Sequence, residues 1–239
     1  MVVKAGGFDR AAQDAIDAGF LSRLPPEAAT RLLDEAVRLD IPAGSVIYRD
    51  EEDPRVIVVV AGLLRMFMRA ADGRQVTVRY ARPGNVFGLA LMIGGPAPFN
   101  MQAVTDASVV ALHLDTLRAL LRDNVDVARA IASELTDQLY EALDEVAGNA
   151  FLSVRQRICR HLLDLATDRQ EGHRLVAHIS QQELADAVAS VRTVVSRTLQ
   201  EMCREGLIET SRDEIIVLDP SRLDIGRATR DRDRDRPSR

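Results

Sequence analysis

Residues 180–208 read SQQELADAVASVRTVVSRTLQEMCREGLI, and this stretch decides the architecture. Ser180 followed three residues later by Glu183 is a capping-box pattern and predicts a helix over about 181–188. Within it Leu184, Ala185 and Val188 face inward, and the small Ala185 admits a close helix crossing. Ala189-Ser190 breaks the pattern. Apolar residues then recur at Val191, Val194, Val195, Leu199 and Met202, one face of a second helix that Gly206 ends. Two short helices joined by a tight turn make a helix-turn-helix over 181–203, whose second helix fits a DNA major groove.

The outward face of that second helix carries Arg192, Thr193, Ser196, Arg197 and Gln200, all polar and none acidic. Each arginine can make a bidentate pair with guanine, and Gln200 can serve an adenine edge. Thr193 and Ser196 are short enough for a base edge or a phosphate. Ser180, Gln181 and Gln182 open the first helix, where backbone N–H groups favour phosphate contacts. An ordinary solvated helix face carries mixed charge, which returns only at Glu201, Arg204 and Glu205. The reading surface therefore ends near Gln200.

Outward from this core, IETSRDEIIVLDP (208–220) reads as a small hairpin and SVRQRICRHLLDLATD (153–168) as an amphipathic helix. That helix has Val154, Ile158, Leu162 and Leu165 inward, and EGHRL (171–175) follows as a loop. Residues 115–149 are helical throughout, with Asp115 and Asn124 as caps of two helices. Leu135, Leu139, Ala142 and Val146 fall at heptad spacing and make a seam for a partner helix. Ile131 and Leu143 lie off that seam and face the chain's own strands, so the segment reads as a hinge and dimer helix. A buried helix of a monomer is the competing reading. From Ile41 to Leu114 short β-branched runs such as VIVVVAGLLRMFMR and QVTVRYAR give an all-β roll or barrel. Asp72-Gly73 reads as a hairpin turn, with bends at Gly44, Gly62, Gly84 and Gly88. EAATRLLDEAVRL (27–39), after Pro25-Pro26, reads as a helix.

Composition narrows the function. The chain has 46% hydrophobic and 28% charged residues, no Trp and a net charge of −5. That acidity sits in residues 1–150, which carry −6, while residues 151–239 carry +1. What matters for DNA is a local basic face rather than the total. Two cysteines, Cys159 and Cys203, exclude a disulfide framework and read as small hydrophobes. His113, His161, His173 and His178 lack metal-ligand spacing, and His113 reads as a structural residue on a strand. No catalytic constellation is present, so no enzyme, metal or cofactor is expected. The N-terminus lacks a signal pattern and no apolar run reaches membrane-spanning length, which predicts a cytoplasmic protein. The tail GRATRDRDRDRPSR (226–239) alternates charge and is expected to be disordered.

Over about residues 20–220 the sequence resembles the Crp/Fnr family of bacterial transcription regulators. The resemblance rests on LPPEAATRLL, IPAGSVIYRDEEDP, AGLLRMF, RPGNVFG, AVTDASVVAL, NAFLSVRQRICRHLLDLA and the helix-turn-helix, in that order. It implies an α+β chain: an N-terminal cyclic-nucleotide-binding-type β roll, a long dimerisation helix and a C-terminal winged helix-turn-helix. The expected parts are a flexible N-terminus (1–19), a sensor roll (20–123), a dimerisation helix (124–149), a DNA-binding domain (150–220) and the tail. It also implies a homodimer on a two-fold operator of double-stranded DNA, with Arg192 and Arg197 as base-reading arginines, and allows a contact with RNA polymerase. The competing function is a ligand-receiving roll whose helix-turn-helix serves protein contacts.

Three departures from the family matter. Thr193 stands where the family often has Glu, which predicts an altered half-site, and Ala189 stands where the turn commonly has Gly. Cyclic-AMP sensors of the family carry Gly-Glu-Leu after the PG strand and Arg-Ser beyond. Here Gly88-Leu89-Ala90 lacks the carboxylate, and no arginine occurs between Arg82 and Arg118. Ala142 and Leu143 replace the hydroxyls that meet the base. A buried cyclic phosphate would lack its cation, so cyclic AMP in the usual mode is not expected. The effector pocket, assigned to Gly88, Leu89, Ala90, Phe99, Ala142 and Leu143, either holds an apolar effector or is filled by its own side chains.

Overall fold

In a computed structural model, residues 2–4, 9–48, 55–71, 75–96, 99–169, 174–211 and 214–223 are described. The chain divides into two units, Met1–Gly73 with Thr77–Glu145, and Arg74–Val76 with Val146–Arg239. The first is built from β1 (Val2–Lys4), α1 (Arg10–Ala18), a 3-10 turn (Phe20–Arg23), α2 (Pro26–Asp34), β2 (Val37–Ile41), β3 (Val46–Tyr48), β4 (Val56–Ala61), β5 (Leu64–Arg69), β6 (Gln75–Ala81), β7 (Val86–Phe87), α3 (Leu89–Gly94), β8 (Asn100–Ala103), β9 (Ala107–Leu112), α4 (Leu114–Asp123) and most of α5 (Val125–Phe151). The second contains α6 (Val154–Leu165), β10 (Thr167–Arg169), β11 (Arg174–His178), α7 (Gln181–Ala187), α8 (Arg192–Arg204), β12 (Ile208–Thr210), β13 (Glu214–Val217) and α9 (Pro220–Leu223).

The roll is two antiparallel sheets, ordered β1-β2-β9-β4-β7 and β3-β8-β5-β6. Strand β4 shows why they stack. Its side chains alternate between two cores, with Val56, Val58 and Val60 against the helices and Ile57 and Val59 between the sheets. The helical side adds Leu32, Leu117, Val127 and Ile131, and the inter-sheet side adds Tyr48, Leu64, Phe87 and Met101. Gly88 adopts φ +89°, and a Cβ there would meet the Arg55 carbonyl oxygen. Only glycine allows β7 to end this close to the start of β4.

Several local expectations are corrected. Residues 10–18, expected to be flexible, form helix α1. Asp9 caps it by accepting from the Ala12 N–H, and Ala12 and Ile16, one turn apart, are buried. The helix expected to reach residue 39 stops at Asp34. Val37, Leu39 and Ile41 instead alternate with Arg38 and Asp40 along β2, which pairs with β9. Arg38 Nε donates to Ser108 Oγ (2.8 Å) and Ser108 Oγ donates to Asp40 (2.9 Å), tying β2 laterally to β9. Asp115 is not a cap: α4 starts after His113, beyond the end of β9, and His113 Nδ1 lies 3.2 Å from Thr116 Oγ1. Asn124 does cap α5, accepting from the N–H of Asp126 and Val127. Leu175 of the expected EGHRL loop belongs to β11, which pairs with β13 and widens the wing to the order β10-β11-β13-β12. The second unit continues past residue 220, because Leu223 of α9 is buried. Asp72-Gly73 and the 226–239 tail lie outside the described residues.

Candidate nucleic-acid interface and effector cavity

Helix α7 begins with a reciprocal cap: Ser180 Oγ accepts from the Glu183 N–H (3.2 Å), and Glu183 Oε2 accepts from the Ser180 N–H (2.9 Å). The Ser180 hydroxyl also donates to Glu183 (2.8 Å), so Ser180 is engaged in holding the helix rather than free for a phosphate. Gln182 Nε2 donates to Asp186 (3.0 Å), a bond on the exposed surface that DNA can displace. Leu184, Ala185 and Val188 are fully buried, as their spacing predicts. The turn bends through Ala189 at φ +50°, the left-handed region where a Cβ is strained. The Ser190 N–H donates to the Ala185 carbonyl (2.9 Å) and closes the turn.

Helix α8 buries Val195, Thr198, Leu199 and Met202. Val191 and Val194, expected inside, are instead 62% and 41% exposed. Val191 precedes the first helical residue, and Thr198 takes the inward position one turn after Val194 while donating to its carbonyl (2.9 Å). Arg192, Thr193, Arg197 and Gln200 are exposed and Ser196 is half-buried beside them. Among the described residues Arg192 makes no ion pair, whereas Arg197 Nε donates to Glu201 (3.2 Å) with 83% of its side chain exposed. Exposed pairs of this kind are worth about 0.3–0.5 kcal/mol, so Arg197 can exchange Glu201 for a base at small cost. The two exposed valines supply apolar surface suited to thymine methyl groups, which periodicity alone assigned to the core.

Helix α8 rests on a firm mount. Arg155 of α6 makes a bidentate pair with Glu205 just past α8, with Nη1 3.0 Å from Oε1. Ile158, Cys159, His161 and Leu162 of α6 are buried. Burial pushes the Cys159 thiol pKa up, in keeping with a small core residue. Burial, then repulsion from Arg160 and Arg157, depresses His161 to about 4, so it is neutral near pH 7.

Among the described residues, helix α5 meets its own unit along one side. Arg23 reaches Asp137 (2.7 Å) and Glu134 (3.3 Å), and Gln138 Nε2 donates to the Val86 carbonyl (3.1 Å). Arg79 lies 3.4 Å from Glu141 with its guanidinium 4.7 Å over the Phe87 ring. Leu135, expected in the seam, packs partly against the helical core. Leu143, expected to face the roll, is 54% exposed beside Leu139 and Val146 at 56% and 65%. The exposed line runs Ala132, Thr136, Leu139, Leu143, Val146, Ala150, which is a heptad ladder with Ala142 on its flank.

Within the roll lies a cavity of about 380 Å³. Of the pocket residues expected from sequence, Gly88 and Phe99 line it. Leu89 is buried in the helical core instead, and Ala90, Ala142 and Leu143 are exposed and do not line it. Strands β2 and β3 and the residue just before β4 contribute lining that the sequence does not mark, including Asp40, Tyr48 and Arg55. Nothing local marks these residues, because their convergence depends on how the two sheets stack.

The family model described as a Crp-like helix-turn-helix domain matches residues 156–224, and that described as a cyclic nucleotide-binding domain matches residues 38–124. Transcriptional regulator LdrP of Thermus thermophilus is 34% identical over 189 residues, covering 75% of this chain and 91% of the relative. The CRP-like cAMP-activated global transcriptional regulator of Mycobacterium tuberculosis is 26% identical over 212 residues, 86% and 95% of the two chains. A solved CRP-family transcriptional regulator, also from Thermus thermophilus, superposes with a TM-score of 0.65 at 30% identity, covering 78% of this chain and 93% of its own. Among the described residues no helix is long and apolar enough to cross a membrane, and no group of three or more potential metal ligands occurs. The β roll, the winged helix-turn-helix and this kinship together make the chain a member of the Crp/Fnr family of DNA-binding transcription regulators, not an enzyme.

Proposed function

We propose that the chain acts in the cytoplasm as a homodimer, each protomer reading half of a two-fold operator. Arg192, Thr193, Ser196, Arg197 and Gln200 meet base edges, with Val191 and Val194 as apolar neighbours. Gln181 and Gln182 meet phosphates, and Ser180 holds the helix that presents them. The ladder through Leu139, Leu143 and Val146 joins the two copies. Residues 20–123 serve as the sensor and α5 as the connector.

The observation that carries this reading is the exposed face of α8, which holds two arginines and no acid before Glu201. A surface made for protein contacts would have no need of that exclusion. Cyclic AMP is not the signal in the family's common mode, although the mycobacterial relative is named as cAMP-activated. The segment Gly88-Leu89-Ala90 offers no carboxylate, and Phe99-Asn100 offers no cation for the phosphate.

The test is a titration against genomic DNA fragments at several salt concentrations, followed by mapping of the bound fragments. A two-fold sequence bound well above random DNA is expected. Steep salt dependence with no sequence preference would leave only phosphate contacts and overturn the proposal. Calorimetry with cyclic AMP should show no saturable heat.

A further inference from the structure

We infer that Glu201 positions Arg197 for guanine: it holds the arginine by Nε and leaves the two Nη groups exposed as a fork. The inference rests on the DNA-reading proposal and names a residue, outside the base-contacting set, that sharpens its specificity.

Arg197 Nε donates to Glu201 Oε1 (3.2 Å), one turn further along α8. Among the described residues Nη1 and Nη2 of Arg197 make no hydrogen bond or ion pair. Guanine O6 and N7 accept two parallel bonds, which a guanidinium gives either from both Nη groups or from Nε with one Nη. With Nε held by Glu201, the first of these remains. Releasing Glu201 is cheap, but guanine does not require it. The pair is weak in water, where 83% of the arginine side chain is exposed. Once DNA covers it, the local dielectric falls and the same bond strengthens. An arginine already held in place also loses less side-chain freedom on meeting the base.

A pair that merely braces the helix is the competing role, and the placement disfavours it. Base before acid is the weaker order for an i, i+4 pair, and Glu201 lies in the last turn of α8, where a negative charge opposes the helix dipole. Arg155 of α6 also feels Glu201, but its hydrogen bonds go to Glu205. An acid here therefore gains the helix little and repels nearby phosphates, so its use lies in what it does to Arg197. Arg192 supplies the contrast. One turn after it stands Ser196, not an acid, and it makes no ion pair among the described residues. Arg192 is thus free to adapt to a base or a phosphate, and the sharper guanine preference belongs to Arg197.

The test uses the full-length protein and competition among operator variants, read at the base pair whose preference Arg197→Ala relaxes. Glu201→Ala should lower the guanine preference there about three- to tenfold. Its affinity for random DNA should rise about two- to fivefold at low salt, because a charge that repels phosphates is gone. Glu201→Gln keeps an acceptor for Nε and loses only the charge, so it should show the same rise and retain most of the preference. In an Arg197→Lys background, which has no Nε donor, Glu201→Ala should leave the preference unchanged. Stability of Glu201→Ala by chemical denaturation should not fall, as it would for a pair that braces the helix. A uniform rise for all sequences with the guanine preference intact overturns the inference, since Glu201 would then only repel. A loss of preference spread over every position, or one that persists in the Arg197→Lys background, overturns it as well. Wild type without any sequence preference overturns the DNA-reading proposal along with it, whereas the other failures leave that proposal standing.

Discussion

Helices α5 and α8 both keep one face out of their own unit's core, and the two faces differ in kind. The α5 face is an aliphatic ladder of Leu139, Leu143 and Val146, flanked by the exposed Phe151. The α8 face is polar, carries Arg192 and Arg197, and lacks acid until Glu201. An apolar ladder gains free energy only by leaving water, so it suits a second copy of itself. A basic polar face gains by releasing counterions from phosphates and by hydrogen-bonding base edges. On the proposed reading, the same helix geometry would select two partners through side-chain chemistry alone. Salt should separate them: self-association through α5 should change little between low and moderate salt, whereas operator binding through α8 should fall steeply.

The largest effect is expected from breaking the apolar side of this comparison. Leu143→Glu should turn a dimer into a monomer by sedimentation. It should also lower operator affinity about 10²- to 10⁴-fold, since the two heads lose their shared effective concentration. A variant that stays dimeric and binds normally would return the ladder to the heptad through Leu135.

Acid should next act on the unit that carries α8. The buried His161 of α6 has a folded pKa of about 4 against 6.5 for the free side chain. The unfolded chain takes up the proton first, so the second unit loses stability as pH falls from 6.5 to about 4, and no further below. The loss is about 1.4 kcal/mol per pH unit within that window and about 3 kcal/mol in all. Chemical denaturation across this range should show the slope, and His161→Gln should flatten it.

On the polar side, Arg197→Ala should cost about 1–3 kcal/mol per half-site and relax the preference at one base pair in each, read by competition against operator variants. Unchanged discrimination would mean that α8 docks with a different face. The smallest effect concerns the turn that sets α8 on α7. Ala189→Gly relieves a left-handed residue at φ +50° and should stabilise the second unit by about 0.5–1 kcal/mol, with operator affinity unchanged. A destabilised variant would mean that the alanine methyl contributes packing there.

Where the informative contacts are local, the sequence was readable in advance. The Ser180–Glu183 box, the buried Leu184 and Ala185, the Asn124 cap and the exposed Arg192 and Arg197 all follow from spacings within one or two turns. Positions that satisfy two periodicities are not legible locally. Val37 and Leu39 fit a helix as well as a strand until pairing with β9 decided between them. Val194 is apolar and fits the inward face by spacing, but Thr198 occupies that face.

By itself the sequence determined the order of parts, the helix-turn-helix and the chemistry of its reading face, because capping and helical periodicity act between residues close in the chain. Only the tertiary structure decided which leucines of α5 lean on the roll and which face outward, since Arg23, Arg79 and Val86 claim one side of that helix from distant strands and turns. Tertiary packing also gathered Tyr48, Arg55, Gly88 and Phe99 around one cavity. Sheet stacking brings such residues together, and no spacing along a single strand records which others will meet it across the core.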